Sequence, residues 1–474
     1  MAEHFDVLII GAGLSGIGAA HHLQERLPHK TYAILEAREA IGGTWDLFRY
    51  PGVRSDSDMY TLGYRFRPWV ESAALADGPS ILSYVRSTAR EAGIDRRVRF
   101  NHRVSGASWA DGHWTVSVRD REPIRCSFLY ICGGYYHYGE GYEPELEDIE
   151  RFTGTLVHPQ FWPEDLDYAG KRVVVVGSGA TAVTLVPALA DKAAHVTMLQ
   201  RSPSYILSIP SEDPIANGLR RLLGDRRAYP VTRWKNVVIS TLIYQLSQRF
   251  PRMMRGAFRR GAMRALPPGY DVDTHFNPRY GPWDQRLCLV PDGDLFKALS
   301  AGRASMVTDR IERFTPGGIR LASGTELEAD IIVTATGLKL LALGGVELEV
   351  DGEPVMLPER LAYKGMMLGG VPNMAFTIGY TNASWTLKAD LVAEFVCRLL
   401  GRMDREGLRE CVPVDDGTVE RRPLLDFSAG YVQRSIHEFP KGGAQAPWRL
   451  GMSYAQDVIT LRHRSLDDGA MRFS

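Results

Sequence analysis

Two sets of small residues recur in this chain at spacings suited to holding a pyrophosphate. Gly11, Gly13 and Gly16 form G-x-G-x-x-G within "FDVLIIGAGLSGIGAAHHL", and Gly177, Gly179 and Ala182 form G-x-G-x-x-A within "RVVVVGSGATAVTLVPAL". In such a turn the first Gly permits the bend and the second lets backbone approach the pyrophosphate. The third small residue lets helix and strand pack closely, with the helix N-terminus facing the phosphates. The run "TYAILEA" then ends at Glu36, twenty residues beyond Gly16, where a carboxylate accepts from ribose hydroxyls. After the second motif, "HVTMLQRSP" places Arg201 nineteen residues beyond Ala182. An arginine cannot accept from a ribose hydroxyl but pairs with a 2′-phosphate. The first site therefore suits FAD and the second NADPH. The plainer reading of Arg201 is a solvated surface arginine.

Elements must hold these turns, and the flanking sequence supplies them. Each motif follows a short apolar run and opens an apolar-periodic helix. Two later runs, "RCSFLYICGGYY" (125–136) and "ADIIVTATG" (329–337), read as strands that cross between domains beside the cofactors. The alternating run from Val104 to Val118 reads as a hairpin turning at Asp111-Gly112. The expected fold is α/β, with two Rossmann-like dinucleotide-binding domains, one for FAD and one for NADPH. Residues 1–145 begin the FAD domain, 150–335 form the NADPH domain, and 340–474 complete the FAD domain. Residues 209–280 read as a helical insertion in the NADPH domain.

Bulk properties exclude several classes. In 474 residues, Lys+Arg and Asp+Glu are both 56, so charge gives no sign of nucleic-acid binding. Cys126, Cys132, Cys288, Cys397 and Cys411 form no C-x-x-C, which argues against a dithiol redox centre. No signal peptide is read at the N-terminus, and no window reaches the roughly 20 apolar residues of a membrane span. The expected location is cytoplasmic, with membrane association open. From Arg220 to Arg264 the insertion carries twelve basic residues and one acid, Asp225. It reads either as a peripheral contact with an anionic membrane or as a scaffold whose arginines face water.

"FTGTLVHPQFWP" (152–163) lies on the path between the two domains. It matches F-x-G-x-x-x-H-x-x-x-W-P through Phe152, Gly154, His158, Trp162 and Pro163. "GGTWDLFRYPGVRSD" (42–56) matches G-G-x-W-x-x-x-x-Y-P-G-x-x-x-D. Together these resemble the two fingerprints of Baeyer–Villiger flavin monooxygenases. Over essentially the whole chain the resemblance is closest to the ethionamide-activating, mycobacterial type, as "WDQRLCLVP" and "GYTNASWTLKADL" also suggest. It implies that NADPH reduces FAD, O2 adds at flavin C4a, and the peroxyflavin attacks a ketone to give an ester or lactone. Oxidation of sulfides and thiocarbonyls is implied as well. The family's catalytic arginine falls at Arg286 and its partner carboxylate at Asp56. A fixed guanidinium would stabilise the anionic adduct. Thr181, Trp45 and Val104 complete the set expected at the cofactors; no metal site is expected.

The residues keep competing readings open. Arg286 also reads as a structural ion pair, and Asp56 as the cap of a helix in "SDMYTLG". Many family members have Lys-Arg where this chain has Gln285-Arg286, which shifts selectivity for the 2′-phosphate onto Arg201. Ser384 is placed to cap a helix bearing Leu387, Leu391 and Phe395. That helix is expected to aim its N-terminus at the flavin or simply to be a buried amphipathic helix. The stretch 152–163 is either a packed linker, with Trp162 filling a gap and Pro159 and Pro163 stiffening it, or a device that sets domain motion. The alternative function is an N- or S-oxygenase without ketone insertion; a flavin reductase or a non-enzymatic redox sensor is further removed.

Overall fold

The computed structural model describes residues 3–285, 287–425 and 427–474. Continuous apolar runs form parallel strands, covered on both faces, while alternating runs form antiparallel strands with one wet face. β1 (His4–Ile10) and β2 (Tyr32–Leu35) are of the first kind. They are joined by α1 (Leu14–Arg26) and pair in parallel, Ile9 opposite Ile34. After α2 (Gly78–Glu91), β3 (Val98–Arg99) extends this edge. β4 (Val104–Ala110) and β5 (His113–Val118) form the expected antiparallel hairpin. Asp111 and Gly112 have φ of 50° and 77°, the pair of positive values that a two-residue turn of this hand requires. β6 (Ile124–Ile131) returns beside β1, Tyr130 opposite Ile9.

The chain then leaves this sheet through β7 (Tyr136–Gly141), and β8 (Thr155–Val157) opens a second one. β9 (Arg172–Val176), α3 (Ala180–Leu189) and β10 (His195–Gln200) repeat the strand–turn–helix–strand unit. β11 (Ile206–Ile209) precedes α4 (Pro214–Leu223), α5 (Asp225–Arg249) and α6 (Pro251–Ala265), and pairs in parallel with β12 (Cys288–Pro291) beyond them. The helical insertion is thus clasped at its base by two strands. α7 (Asp294–Ser300) and β13 (Ala304–Thr308) follow. An antiparallel meander comes next, β14 (Ile311–Thr315), β15 (Gly318–Leu321) and β16 (Glu326–Glu328), and then β17 (Ile331–Thr334). The second sheet has the order β13-β10-β9-β17-β8, every pair parallel.

The return connection, β18 (Leu338–Leu340), pairs antiparallel with the outgoing β7. Both crossings therefore lie side by side as one two-stranded ribbon. β19 (Glu347–Val350), β20 (Glu353–Pro354) and β21 (Met374–Phe376) rejoin the first sheet, whose order is β20-β19-β4-β5-β6-β1-β2-β3 with β21 on β6.

α8 (Trp385–Glu406) packs against α1. Ser384 stands at its N-cap, but the hydroxyl bonds Thr61 Oγ1 (2.6 Å) rather than a first-turn amide. The helix buries Leu387, Leu391 and Phe395, and also Lys388, Asp390 and Glu394. Buried charges persist when paired. Lys388 meets Asp457 (2.8 Å), and Asp390 meets His22 (3.3 Å) and Arg233 (3.5 Å). Glu394 meets Arg65 and Arg462 (2.5 Å each) and Arg26 (3.2 Å). Because Arg233 belongs to α5, this network fastens the helical insertion to the first sheet's helices. Among the described residues no helix is long and apolar enough to cross a membrane.

Candidate active site

At the first motif Gly11 has φ of 99°, and a Cβ there would lie 2.8 Å from Cys132 O at the end of β6. A Cβ at Gly16 would lie 1.9 Å from Gly11 O, so the third glycine is the close-packing one. No side chain caps α1, which leaves its first amides for a ligand. Glu36 is buried. Its Oε2 accepts from Ala12 N (2.8 Å) and its Oε1 from Arg38 N (2.9 Å), so each oxygen keeps a lone pair for a hydroxyl. Val104 is buried at the start of β4, two residues after His102, whose amide donates to Glu36 O (2.8 Å). Trp45 is half-buried against the core that contains α1.

At the second motif a Cβ on Gly177 would lie 2.2 Å from Ala335 O, and Ala182 is fully buried. Around Gly179 nothing lies within 4 Å of a Cβ position, and α3 likewise has no side-chain cap. Two uncapped helix N-termini behind bare glycine backbone fit two dinucleotides. Arg201 is exposed at the end of β10 and forms no ion pair with a described residue.

The segment 42–56 runs between these two turns. Gly42 N donates to Ala12 O (3.1 Å), and a Cβ on Gly43 would come within 3.0 Å of Gly13 Cα. Buried Asp46 fixes this end through Arg38 (2.6 Å) and Arg86 (2.7 Å). At the far end, a Cβ on Gly52 (φ 76°) would lie 2.7 Å from Ala188 Cβ and 2.9 Å from Thr184 O, both in α3. Tyr50 is buried beside them. Burial pushes its phenol up to about 12; a hydrogen bond with Thr181 opposes this and the charge of Asp56 adds to it. Arg54 pairs with Asp294 at the start of α7. Asp56 follows, half-buried. The capping reading of Asp56 is corrected: Asp58 caps Met59–Leu62, accepting from Thr61 N (3.1 Å), because the helix begins two residues later than that reading requires. Arg286 lies outside the described residues.

The stretch 152–163 grips the crossing ribbon. Gly154 is small because a Cβ would lie 2.4 Å from Phe152 Cζ and 2.5 Å from Asp330 O. The His158 ring lies over Gly141 of β7, where a Cβ would meet Cε1 at 2.3 Å. His158 Nδ1 accepts from Gln160 N (3.2 Å). Buried Gln160 turns its Nε2 to three β7 carbonyls, His137 (2.9 Å), Tyr138 (3.0 Å) and Glu140 (3.3 Å). Burial pushes the His158 imidazole below its usual value, so it is neutral at neutral pH. Trp162 packs half-buried on the second sheet's core beside Tyr168, ahead of exposed Pro163. Gln160 and Asp46 escaped the sequence reading, since both occupy unspecified positions of the fingerprints.

Residues 8–215 match the pyridine nucleotide-disulphide oxidoreductase family. The chain is 57% identical to the FAD-containing monooxygenase EthA of Mycobacterium tuberculosis (strain ATCC 25618 / H37Rv), over 100% of this chain and 98% of that protein. It is 46% identical to the probable FAD-binding monooxygenase AlmA of Acinetobacter baylyi, over 100% and 97%. The fold matches the open crystal structure of cyclohexanone monooxygenase with a TM-score of 0.77 over 100% of both chains, at 20% identity. Two dinucleotide turns strapped together by one segment, in a chain that aligns end to end with these relatives, have one reading: the chain belongs to the FAD-containing monooxygenases.

Proposed function

We propose that this enzyme binds FAD at the first glycine turn and NADPH at the second, and inserts one oxygen atom of O2 into a ketone. The products are an ester or lactone, water and NADP+. The observation that carries this reading is the strap 42–56, which touches both turns and ends at Asp56 beside Tyr50. FAD, when bound, supplies electron transfer from NADPH and activation of O2.

The chain's own residues bind and orient. The free amides of α1 and α3 hold the two pyrophosphates, and Glu36 takes the FAD ribose. Arg201 pairs with the 2′-phosphate, and its exposure without an ion-pair partner among the described residues supports that role. Arg286, steadied by Asp56, stabilises negative charge developing on the substrate's carbonyl oxygen. The grip of His158 and Gln160 on β7 makes relative motion of the two folds repeatable, which would let the second fold bring a bound NADPH, as hydride donor, toward the first and move it away again. Sulfides and thiocarbonyls are further substrates.

The test is a panel of linear, cyclic and aromatic ketones and one thioether, assayed for ester and sulfoxide against NADPH consumed. Ester formation coupled to NADPH is expected. Sulfoxide without ester from any ketone would favour the N- or S-oxygenase reading.

A further inference from the structure

Exposed large apolar side chains concentrate on the helical insertion. Val231, Trp234, Val238 and Leu242 are 49%, 46%, 59% and 56% exposed and recur at three- and four-residue steps, forming one stripe along α5. Exposed Arg226 and Arg227 stand at one end, and exposed Arg249 and Arg252 at the other.

Beside the stripe, sharing Trp234 with it, a cleft of about 630 Å³ separates α5 from the loop at Arg65–Pro68. Arg65, Arg67, Arg226, Arg233 and Arg462 line it. The carboxylates they meet are Glu394, which holds Arg65 and Arg462, Glu91, which holds Arg67, and Asp390, which holds Arg233. Glu394 must also serve Arg26, and Asp390 also faces His22. Three carboxylates therefore answer five arginines, Arg226 pairs with none of them, and positive charge is in surplus. Arg233 Nε and Arg462 Nη2 are buried without a hydrogen-bond partner among the described residues. A buried donor with no partner is costly, and an anion satisfies both the donors and the charge.

We propose that this cleft takes the phosphate of an anionic lipid headgroup, seating the α5 stripe on the bilayer surface. An apolar stripe flanked by arginines, with a Trp at its edge, is the pattern of a helix lying in the interfacial plane. Charge selects the bilayer over a second copy of the chain. The region 220–264 carries twelve basic residues and one acid, so this face brought against itself would meet its own charge. A surface of acidic headgroups complements it.

The experiment is flotation of full-length holoenzyme with vesicles of phosphatidylcholine alone, and of phosphatidylcholine with phosphatidylglycerol. Binding only to the anionic vesicles is expected. Arg226→Ala with Arg227→Ala should lower partitioning roughly 25-fold, and Val238→Ser with Leu242→Ser roughly 100-fold. Both pairs change exposed side chains, so flavin content should stay complete, which checks folding. Binding to neither vesicle, equal binding to both, or variants that bind like the parent would overturn the proposal. Release by inorganic phosphate at matched ionic strength would assign the cleft to a free anion instead. A dimer lost in the Val238→Ser/Leu242→Ser protein, with vesicle binding unchanged, would assign the stripe to a second copy.

Discussion

A methyl group at position 141 tests whether His158 clamps the crossing ribbon. The φ of Gly141 lies outside the left-handed region, so Gly141→Ala carries no backbone strain and acts through contact alone. The new Cβ would lie 2.3 Å from Cε1, 2.5 Å from Nε2 and 2.6 Å from Nδ1 of His158, where ordinary contact begins at 3.4 Å. The ring must retreat about 1 Å. It is held against doing so: Nδ1 is tied to Gln160, and Gln160 to three carbonyls. Overpacking of this kind costs about 1–3 kcal/mol. His158→Ala alone costs energy too, by leaving a void. In the double variant the methyl moves into that void, so the two losses should fall short of their sum by about 1–3 kcal/mol. The assay is the midpoint of thermal flavin release for the four proteins at one scan rate. At about 1 °C per kcal/mol for a chain of 474 residues, Gly141→Ala should lower it by roughly 1–3 °C, and adding His158→Ala should lower it little further. Additive losses would refute the clamp. The same four proteins report on turnover when NADPH consumed, ester formed and peroxide released are measured together. His158→Ala should keep its flavin yet send more NADPH to peroxide; unchanged ester and peroxide would leave only a packing role.

Arg201→Ala should weaken NADPH by about 10- to 150-fold, the loss of one charge-assisted hydrogen bond, while NADH is little affected; equal losses in the two Michaelis constants would remove Arg201 as the phosphate reader. Arg286→Ala, and to a lesser degree Asp56→Ala, should cut ester formation by about 10²–10³ with flavin content intact, and near-parental ester from Arg286→Ala would sink the assignment. Burial raises the Asp390 and Glu394 carboxyls, but His22 and Arg233 around the first, and Arg462 and Arg65 around the second, outweigh it and hold both below the usual range. Depressed carboxyls contribute stability that is complete above their unfolded values of about 4 and lost as pH falls through the folded ones. Their contribution to the denaturation midpoint should therefore stay level from about pH 5 to 7 and fall below about 4. Glu394→Gln should lower the plateau and flatten that fall, and an acid limb identical to the parent's would detach Glu394 from it.

The two nucleotide folds were legible because their signals are local. A glycine turn, its strand and its helix occupy about twenty consecutive residues, and the steric demands at Gly11 and Gly177 admit few alternatives. The Asp111-Gly112 turn was legible for the same reason. What escaped reading depends on distant contacts. Nothing near Arg233 announces Asp390, which lies 157 residues away on another helix. Nothing in "HPQFWP" marks Gln160, because its partners are backbone carbonyls, which any sequence at 137–140 would present. The exchange of Asp58 for Asp56 at a helix cap shows the remaining limit. Two acids two residues apart fit the same capping pattern, and packing of Met59 and Tyr60 decides which one starts the turn.

The antiparallel pairing of β7 with β18 makes the second nucleotide fold, geometrically, a cassette. The chain departs and re-enters at adjacent points, so everything between Tyr142 and Gly337 is covalently joined to the rest through one two-stranded stalk. Along the chain the first sheet connects to it only through the stalk, and the closure entropy of such an excursion grows only with the logarithm of its length. Growth inside it, such as the helices between β11 and β12, therefore leaves the register of the first sheet untouched. The same stalk also limits where the cassette can be cut and regrafted, because shortening one strand by a single residue would move Gly141 out from under His158.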